Sequence, residues 1–481
     1  QIAMDKIEYL TRTHPSLGLK YKDFSFVVKD GDNLTITDDV YTSINPGKFV
    51  RVKPSDVVEK PVDLTRLKIT RQIGSDHTKL VQYANGHWQF LVDGKPILIK
   101  AIAYEPTLVG QSTHDNTRVD WMTADINENG LIDGPYEAWV DKNLNNVQDP
   151  DEKAVGDFAL LKRMGANALR HYHGASNKEL LREAHDQYGL MAIIGDLMGM
   201  YAGGSGASWY EGTDYTNPEH LENMRQSIRE MVLKHKDEPY LLMWVLSNEG
   251  NYGFVGDREN GKTLPDRLGL GSRGKEQHEA MYRFANEMAL MIKEMDPDHP
   301  IAFSNGEKVF VQEIGRVMPD IDIFGSNVYR GEDGFGHSFW HDIKTYTDKP
   351  VLITEFGCPA YHNRKTREEA EELQKNYLQG NWEDIVYNRA GSGAGNAIGG
   401  VLFQYIDEWW KAGPAPEFDP YLQETVGDFK ANFPDGWMHE EWLGVTSQGD
   451  GSQSPFLRQL RPAYRYFEKA WNEDVWSSRS S

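Results

Sequence analysis

The chain is poor in cysteine, in long apolar runs and in positive charge. Its one cysteine, Cys358, excludes an internal disulfide framework and any cysteine-based zinc site. No run of about 18 apolar residues occurs, so no segment reads as a membrane-spanning helix. Lys and Arg number 51 against 73 Asp and Glu, a net charge of −22. A nucleic-acid partner wants a basic face, so this balance argues against one. It favours neutral or cationic ligands, metal cations above all, although a solvated acidic surface accounts for most of the charge. What is present, 39% hydrophobic and 26% charged over 481 residues, is globular composition with a large core. Thirteen Trp and 23 Tyr supply flat rings with polar edges, which suit both packing and sugar-binding clefts. The chain begins at Gln1 without Met, which suggests a processed N-terminus and a secreted or periplasmic location.

Residues 1–85 alternate polar and apolar residues with turn punctuation and read as a small β-rich segment. From 86 to 475 the pattern becomes strand then helix. Asn85-Gly86 and Asp93-Gly94 are hairpin signals around His87–Val92. Pro96–Tyr104 reads as the first strand of a barrel, Asn167–Arg170 the second and Leu190–Ile194 the third, leading to Asp196. Asn217-Pro218 starts a long helix as cap and first position. The fourth strand ends at Glu249, Ile301–Ser304 is the fifth, Ile321–Gly325 the sixth, and the seventh ends at Glu355. Thr366–Glu369 is a capping box. Gly399–Tyr405 is the eighth strand and Leu457–Trp471 a closing helix. Eight such steps predict an α/β chain folded as a (β/α)8 TIM barrel. A doubly wound sheet is the alternative, but it usually shows a Gly-rich phosphate turn after its first strand, and none occurs here.

Glu249 and Glu355 end apolar runs, Leu241–Glu249 and Pro350–Glu355, of the kind buried on both faces of a parallel sheet. Carboxylates at strand exits lie on the C-terminal face, where such barrels keep their active sites. A pair about 5–5.5 Å apart can protonate a glycosidic oxygen and attack the anomeric carbon, with net retention. Their environments must then push their pKa values apart. Arg170, after the second strand, and Tyr329, after the sixth, can converge on one carboxylate and hold it anionic. The other, flanked by Asn248, keeps its proton for the first step. His173 and Asp196 sit at strand ends and can reach a substrate. Cys358, beside Glu355, reads as a packing thiol.

Six segments in order resemble the catalytic domain of glycoside hydrolase family 2, within clan A of retaining glycosidases. They are Val92–Pro96, Met164–Arg170 with His173, Ser247-Asn248-Glu249, Ser326-Asn327-Val328-Tyr329, Ile353–Gly357 and Leu460–Tyr464. The resemblance implies a retaining β-glycosidase or transglycosylase acting on a β-linked glycan, with Glu249 as acid/base and Glu355 as nucleophile. It gives Asn248 the sugar 2-hydroxyl, Arg170 and Tyr329 the orientation of Glu355, and Trp409 or Trp410 the role of a sugar platform. Members of the family usually carry jelly-roll and immunoglobulin-like domains before the barrel, and residues 1–85 cannot hold both, so the pocket those domains help close must be built differently here. Rival readings are a non-catalytic, calcium-dependent carbohydrate-binding protein, and a zinc hydrolase using His171 and His173.

Residues 107–154 are more than a barrel requires between its first strand and helix. They hold a repeat: Asp125, Asn127, Asn129, Gly130 and Asp133 are echoed by Asp141, Asn143, Asn145, Asn146 and Asp149. Oxygen side chains at positions 1, 3, 5 and 9, a main-chain oxygen at 7 (Leu131, Val147) and Glu at 12 are what a hard cation wrapped by one loop requires. The second copy has Glu152 at position 12. The first has Tyr136 there and Glu137 one later. The pattern resembles the calcium loops of EF-hand and dockerin proteins without the full flanking helix pair. It predicts structural Ca2+ stiffening a wall of the catalytic cleft.

Overall fold

The computed structural model describes residues 34–36, 41–43, 62–113, 115–172, 175–208, 212–252, 274–411 and 419–476. Eight parallel strands close into a barrel. They are β1 (Ile99–Ala103), β2 (Ala168–His171), β3 (Met191–Asp196), β4 (Leu241–Leu246), β5 (Ile301–Gly306), β6 (Ile323–Asn327), β7 (Val351–Phe356) and β8 (Ala397–Leu402), with β8 pairing β1 and β1 pairing β2. The doubly wound alternative is thereby excluded. Every residue of β4, β5, β7 and β8 is buried, because helices cover the outside while side chains fill the inside. Among the described residues, no helix is long and apolar enough to cross a membrane.

The helices start and stop where their caps dictate. Asp157–Met164 ends on Gly165 and Lys178–Tyr188 on Gly189, both left-handed. Asn217 accepts from the Glu219 amide to open Pro218–His235. Thr366 and Glu369 form the reciprocal capping box of Arg367–Tyr387.

Strand boundaries differ from the sequence reading in ways with physical causes. Pro96–Tyr104 is not one strand. Asp93 and Gly94, both at positive φ, make a tight hairpin that returns Lys95–Ile97 antiparallel to Trp88–Val92, and β1 begins only after Leu98. Leu457–Trp471 is not one helix. Leu457–Leu460 is a strand paired with Trp139–Val140 and Thr446–Ser447, and the helix starts at Pro462. Arg461, ahead of that proline, is extended, as the proline ring requires. The fourth strand stops at Leu246, so Glu249 stands in the loop beyond it.

Much of 1–61 lies outside the described residues, apart from the paired strands Leu34–Ile36 and Tyr41–Ser43. The β-rich portion that follows is a four-stranded antiparallel sheet from Ile69 to Ile97, which continues past residue 85. It docks on chain entering the barrel. Ser75 N bonds Asp298 O ahead of β5, Gln82 bonds Asp348 ahead of β7, and Trp88 N bonds Gly395 O ahead of β8. The sheet therefore stoppers the N-terminal end and leaves the opposite, catalytic face to the loops.

The chain on either side of the insertion is tied into that face. Asp157, at the head of its helix, meets Arg458 in a fully buried bidentate pair (2.7 and 2.8 Å). Tyr104 and Tyr405, just past β1 and β8, donate to the same carboxylate at 2.9 and 2.8 Å. Breaking a pair so placed costs about 3–5 kcal/mol, because one charge is left buried alone.

Candidate active site

Strand alternation brings the central group together. Arg170 and Tyr172, two residues apart, share a face at the end of β2. Arg170 donates to Glu355 Oε1 at 3.1 Å and to the Thr354 carbonyl at 2.6 Å, while Tyr172 donates to the same Oε1 at 2.8 Å. Tyr329, beyond β6, donates to Oε2 at 2.8 Å. Glu355 and Arg170 are both almost fully buried. Three donors on one carboxylate are the complement of an anion held in fixed orientation. Burial, and next the charge of Glu355 or Arg170's opposing pull, set the phenols; on balance Tyr172 and Tyr329 are raised well above the ordinary value and stay donors. Tyr172 was not among the residues read from sequence. Its two-residue spacing from Arg170 was the available signal.

Glu249 reaches the site by a different route. Ser247 and Glu249 both adopt positive φ (69° and 52°), a conformation that costs a non-glycine residue roughly 1–2 kcal/mol. Ser247 is held by its hydroxyl on the Met198 carbonyl and by its amide on Asp196 O. Gly250 passes so close to Gly199 that a Cβ on Gly199 would sit 2.5 Å from the Gly250 Cα. The loops after β3 and β4 thus brace each other and turn Glu249 inward. Its carboxyl is pushed up to about 8, first by burial and then by the charge of Glu355, against a hydrogen bond from Asn327 and the pull of Arg170.

Asn248 accepts from Arg170 (2.9 Å) and from Asn327 (3.0 Å), so its acceptor end is committed, and among the described residues nothing takes its amide hydrogens. Asn327 accepts from Thr354 (2.7 Å) and Ser304 (3.2 Å), which fixes its donor end toward Asn248. Asp196 accepts from Ser227 at 2.8 Å. His171 stacks on Trp121 (5.9 Å, 14°) and burial lowers it to about 4, and His173 lies outside the described residues. Cys358 is buried, its thiol pushed well up by that burial, as befits a packing residue.

The two tryptophans read as alternative sugar platforms differ in exposure. Trp409 is only 6% exposed and packs on Gly451, so it offers little face to a sugar. Trp410 is half-buried, with Arg118 over its ring at 4.4 Å.

The two loops of the insertion share one backbone design. Positions 4 and 6 are at positive φ in both (Glu128 and Gly130; Leu144 and Asn146). Asp125 accepts from the amides of Asn129 and Gly130, and Asp141 from those of Asn145 and Asn146. Their last two carboxylates exchange parts. Asp133 accepts from Ile126 N as Glu152 does from Lys142 N. Glu137 gathers the amides of Asn127 and Asn129 as Asp149 gathers those of Asn143 and Asn145. Position 9 of the first copy therefore does the work of position 12 in the second. Among the described residues, no three of His, Cys, Asp and Glu form a metal cage by themselves. The donor set in each loop mixes carboxylates with asparagine amides, whose oxygen replaces nitrogen on a half-turn, and that chemistry fits a hard cation.

The model of "Glycosyl hydrolases family 2, TIM barrel domain" matches residues 148–411. The chain is 24% identical over 382 residues to a β-glucuronidase of Streptococcus agalactiae, covering 75% of this chain and 49% of that protein. It is 22% identical over 383 residues to the β-glucuronidase of Sus scrofa, covering 72% and 52%. The chain thus spans about half the length of these curated relatives. Among solved structures, a Bacteroides uniformis β-glucuronidase is similar at 17% identity and a TM-score of 0.47, covering 84% of this chain and 41% of that one.

Proposed function

Because the chain belongs to glycosyl hydrolase family 2, we propose that it is a retaining β-glycosidase working by double displacement on a β-linked glycan. The observation that carries this reading is the asymmetry of the carboxyl pair. Glu355 is clasped by Arg170, Tyr172 and Tyr329, and Glu249 is pushed up to about 8 beside it.

Glu355 attacks the anomeric carbon while Glu249 gives its proton to the departing oxygen, so the aglycone leaves as an alcohol. The glycosyl ester on Glu355 is then attacked by water, which Glu249, now a carboxylate, deprotonates. A sugar hydroxyl in place of that water gives transglycosylation. Asn248 donates to the 2-hydroxyl, and Arg170 and Tyr329 keep Glu355 aimed. A glucuronide, the substrate in the names of the relatives, is one member of this class. Proton NMR of the first product tests the reading: β-anomer must form before mutarotation, and initial release of α-anomer would refute double displacement.

We further propose that Ca2+ is structural in the insertion, bound by Asp125, Asn127, Asn129, Leu131 O, Asp133 and Glu137 in one loop and by Asp141, Asn143, Asn145, Val147 O, Asp149 and Glu152 in the other. A secreted or periplasmic location would supply it, since extracellular calcium satisfies even weak loops. Chelation is expected to lower Tm by several degrees with a smaller effect on kcat. An unchanged Tm after metal analysis shows the calcium gone would remove the metal from the account.

A further inference from the structure

Among the described residues, the cations that contacts connect to the carboxyl pair are already bound within the chain. Arg170 is divided among Glu355, the Thr354 carbonyl and Asn248. Lys411 forms an ion pair with Glu408 at 2.8 Å and lies over Phe403, whose ring meets Tyr172. Arg118 covers Trp410 and bonds Glu105. Against these three cations stand Glu249, Glu355, Glu408, Glu105 and one further carboxyl group, Glu440.

Glu440 is half-buried and opens the short helical turn Glu440–Trp442. Its amide bonds Asp428 at 2.8 Å, the Trp442 carbonyl accepts from Ala360 N at 2.8 Å, and the Leu443 carbonyl accepts from Gln404 N at 3.0 Å. Ala360 follows β7 and Gln404 follows β8, so the turn is fastened between two strand exits, one of them the exit that carries Glu355. Burial raises Glu440 above its ordinary value, Lys411 pulls it back, and Asp428 and Glu355 add to the rise, while the charge of Glu440 in turn helps raise Glu249. Among the described residues, none hydrogen-bonds its carboxyl oxygens.

We propose that Glu440 binds substrate, accepting a hydroxyl or ammonium hydrogen of the glycone, and that the site therefore selects a neutral or amino sugar over a uronic acid. A uronate would bring another anion beside the carboxyl groups of Glu440, Glu408 and Glu355, where no uncommitted cation among the described residues receives it. A neutral glycone presents hydroxyl donors to Glu440 and loses nothing to Lys411, which stays with Glu408. This rests on the double displacement proposed above, and the test separates the two.

The protein is assayed on 4-nitrophenyl β-glucoside, β-galactoside, β-mannoside, β-glucosaminide and β-glucuronide, alongside Glu440→Gln and Glu355→Gln. The best neutral or amino substrate is expected to exceed the glucuronide in kcat/KM by about 100-fold. Glu440→Gln is expected to lower that substrate about tenfold while leaving the glucuronide unchanged or improved. A wild type that prefers the glucuronide overturns the selection, and an unchanged ratio in Glu440→Gln overturns the role of Glu440. Activity that survives Glu355→Gln instead overturns the underlying mechanism. Cleavage of none of the five by wild type overturns both.

Discussion

Glu355→Gln is expected to lower kcat/KM by about ten-thousandfold or more on any glycoside the protein cleaves, because it removes the atom that must bond to the anomeric carbon. The change is nearly isosteric. Tyr172 and Arg170 share Oε1, and Tyr329 alone holds Oε2, so an amide placed with its oxygen toward Arg170 keeps two of the three donors paired. Its NH2 then faces the Tyr329 hydroxyl, which can rotate to accept. Folding should survive, and a thermal melt close to wild type is the control. Glu355→Ala supplies a second arm. It opens space at the anomeric carbon, so added azide should restore turnover and yield the glycosyl azide of inverted configuration. Near-normal turnover by Glu355→Gln, in protein freed of contaminating glycosidase, would show that another group is the nucleophile.

The sequence made the barrel legible because its strands are short, mostly apolar runs buried on both faces, separated by well-capped helices. Boundaries slipped where tertiary pairing overrode the local pattern. Leu457–Leu460 fits an amphipathic helix by periodicity, yet it becomes a strand because Trp139–Val140 of the insertion offers its edge. Nothing near residue 457 announces that partner. At the site, Glu355, Arg170 and Tyr329 could be placed because each stands at or just beyond a strand end. Trp409 could not, since a tryptophan after a strand looks the same whether it faces a cleft or packs on Gly451. Glu440 was invisible for a related reason. It sits in a turn far beyond the last barrel strand, and only the bonds from Ala360 and Gln404 to its neighbours carry it back to the pair.

Glu249 supports the strongest statement about pH. Below about 8 its carboxyl holds the proton that the departing oxygen needs, so kcat/KM is expected to fall as pH rises through that value. Glu249→Gln should abolish this alkaline limb and slow alkyl glycosides by about a thousandfold or more, while activated aryl glycosides, whose phenolates leave without help, suffer far less at the glycosylation step. The same shift has a consequence for folding. A carboxyl raised from its ordinary 4.5 favours the folded state fully below that value, and the advantage is lost as pH climbs toward 8. At pH 7 the pocket thus holds Glu249 against its tendency to ionise. Glutamine carries no such penalty, so Glu249→Gln is expected to be more stable at neutral pH, by on the order of 1–3 kcal/mol, and not at pH 4. Denaturant midpoints of both proteins at the two pH values measure this directly. Equal differences at pH 4 and pH 7 would mean that burial and Glu355 do not raise the group. An alkaline limb that persists in Glu249→Gln would assign the proton to another residue.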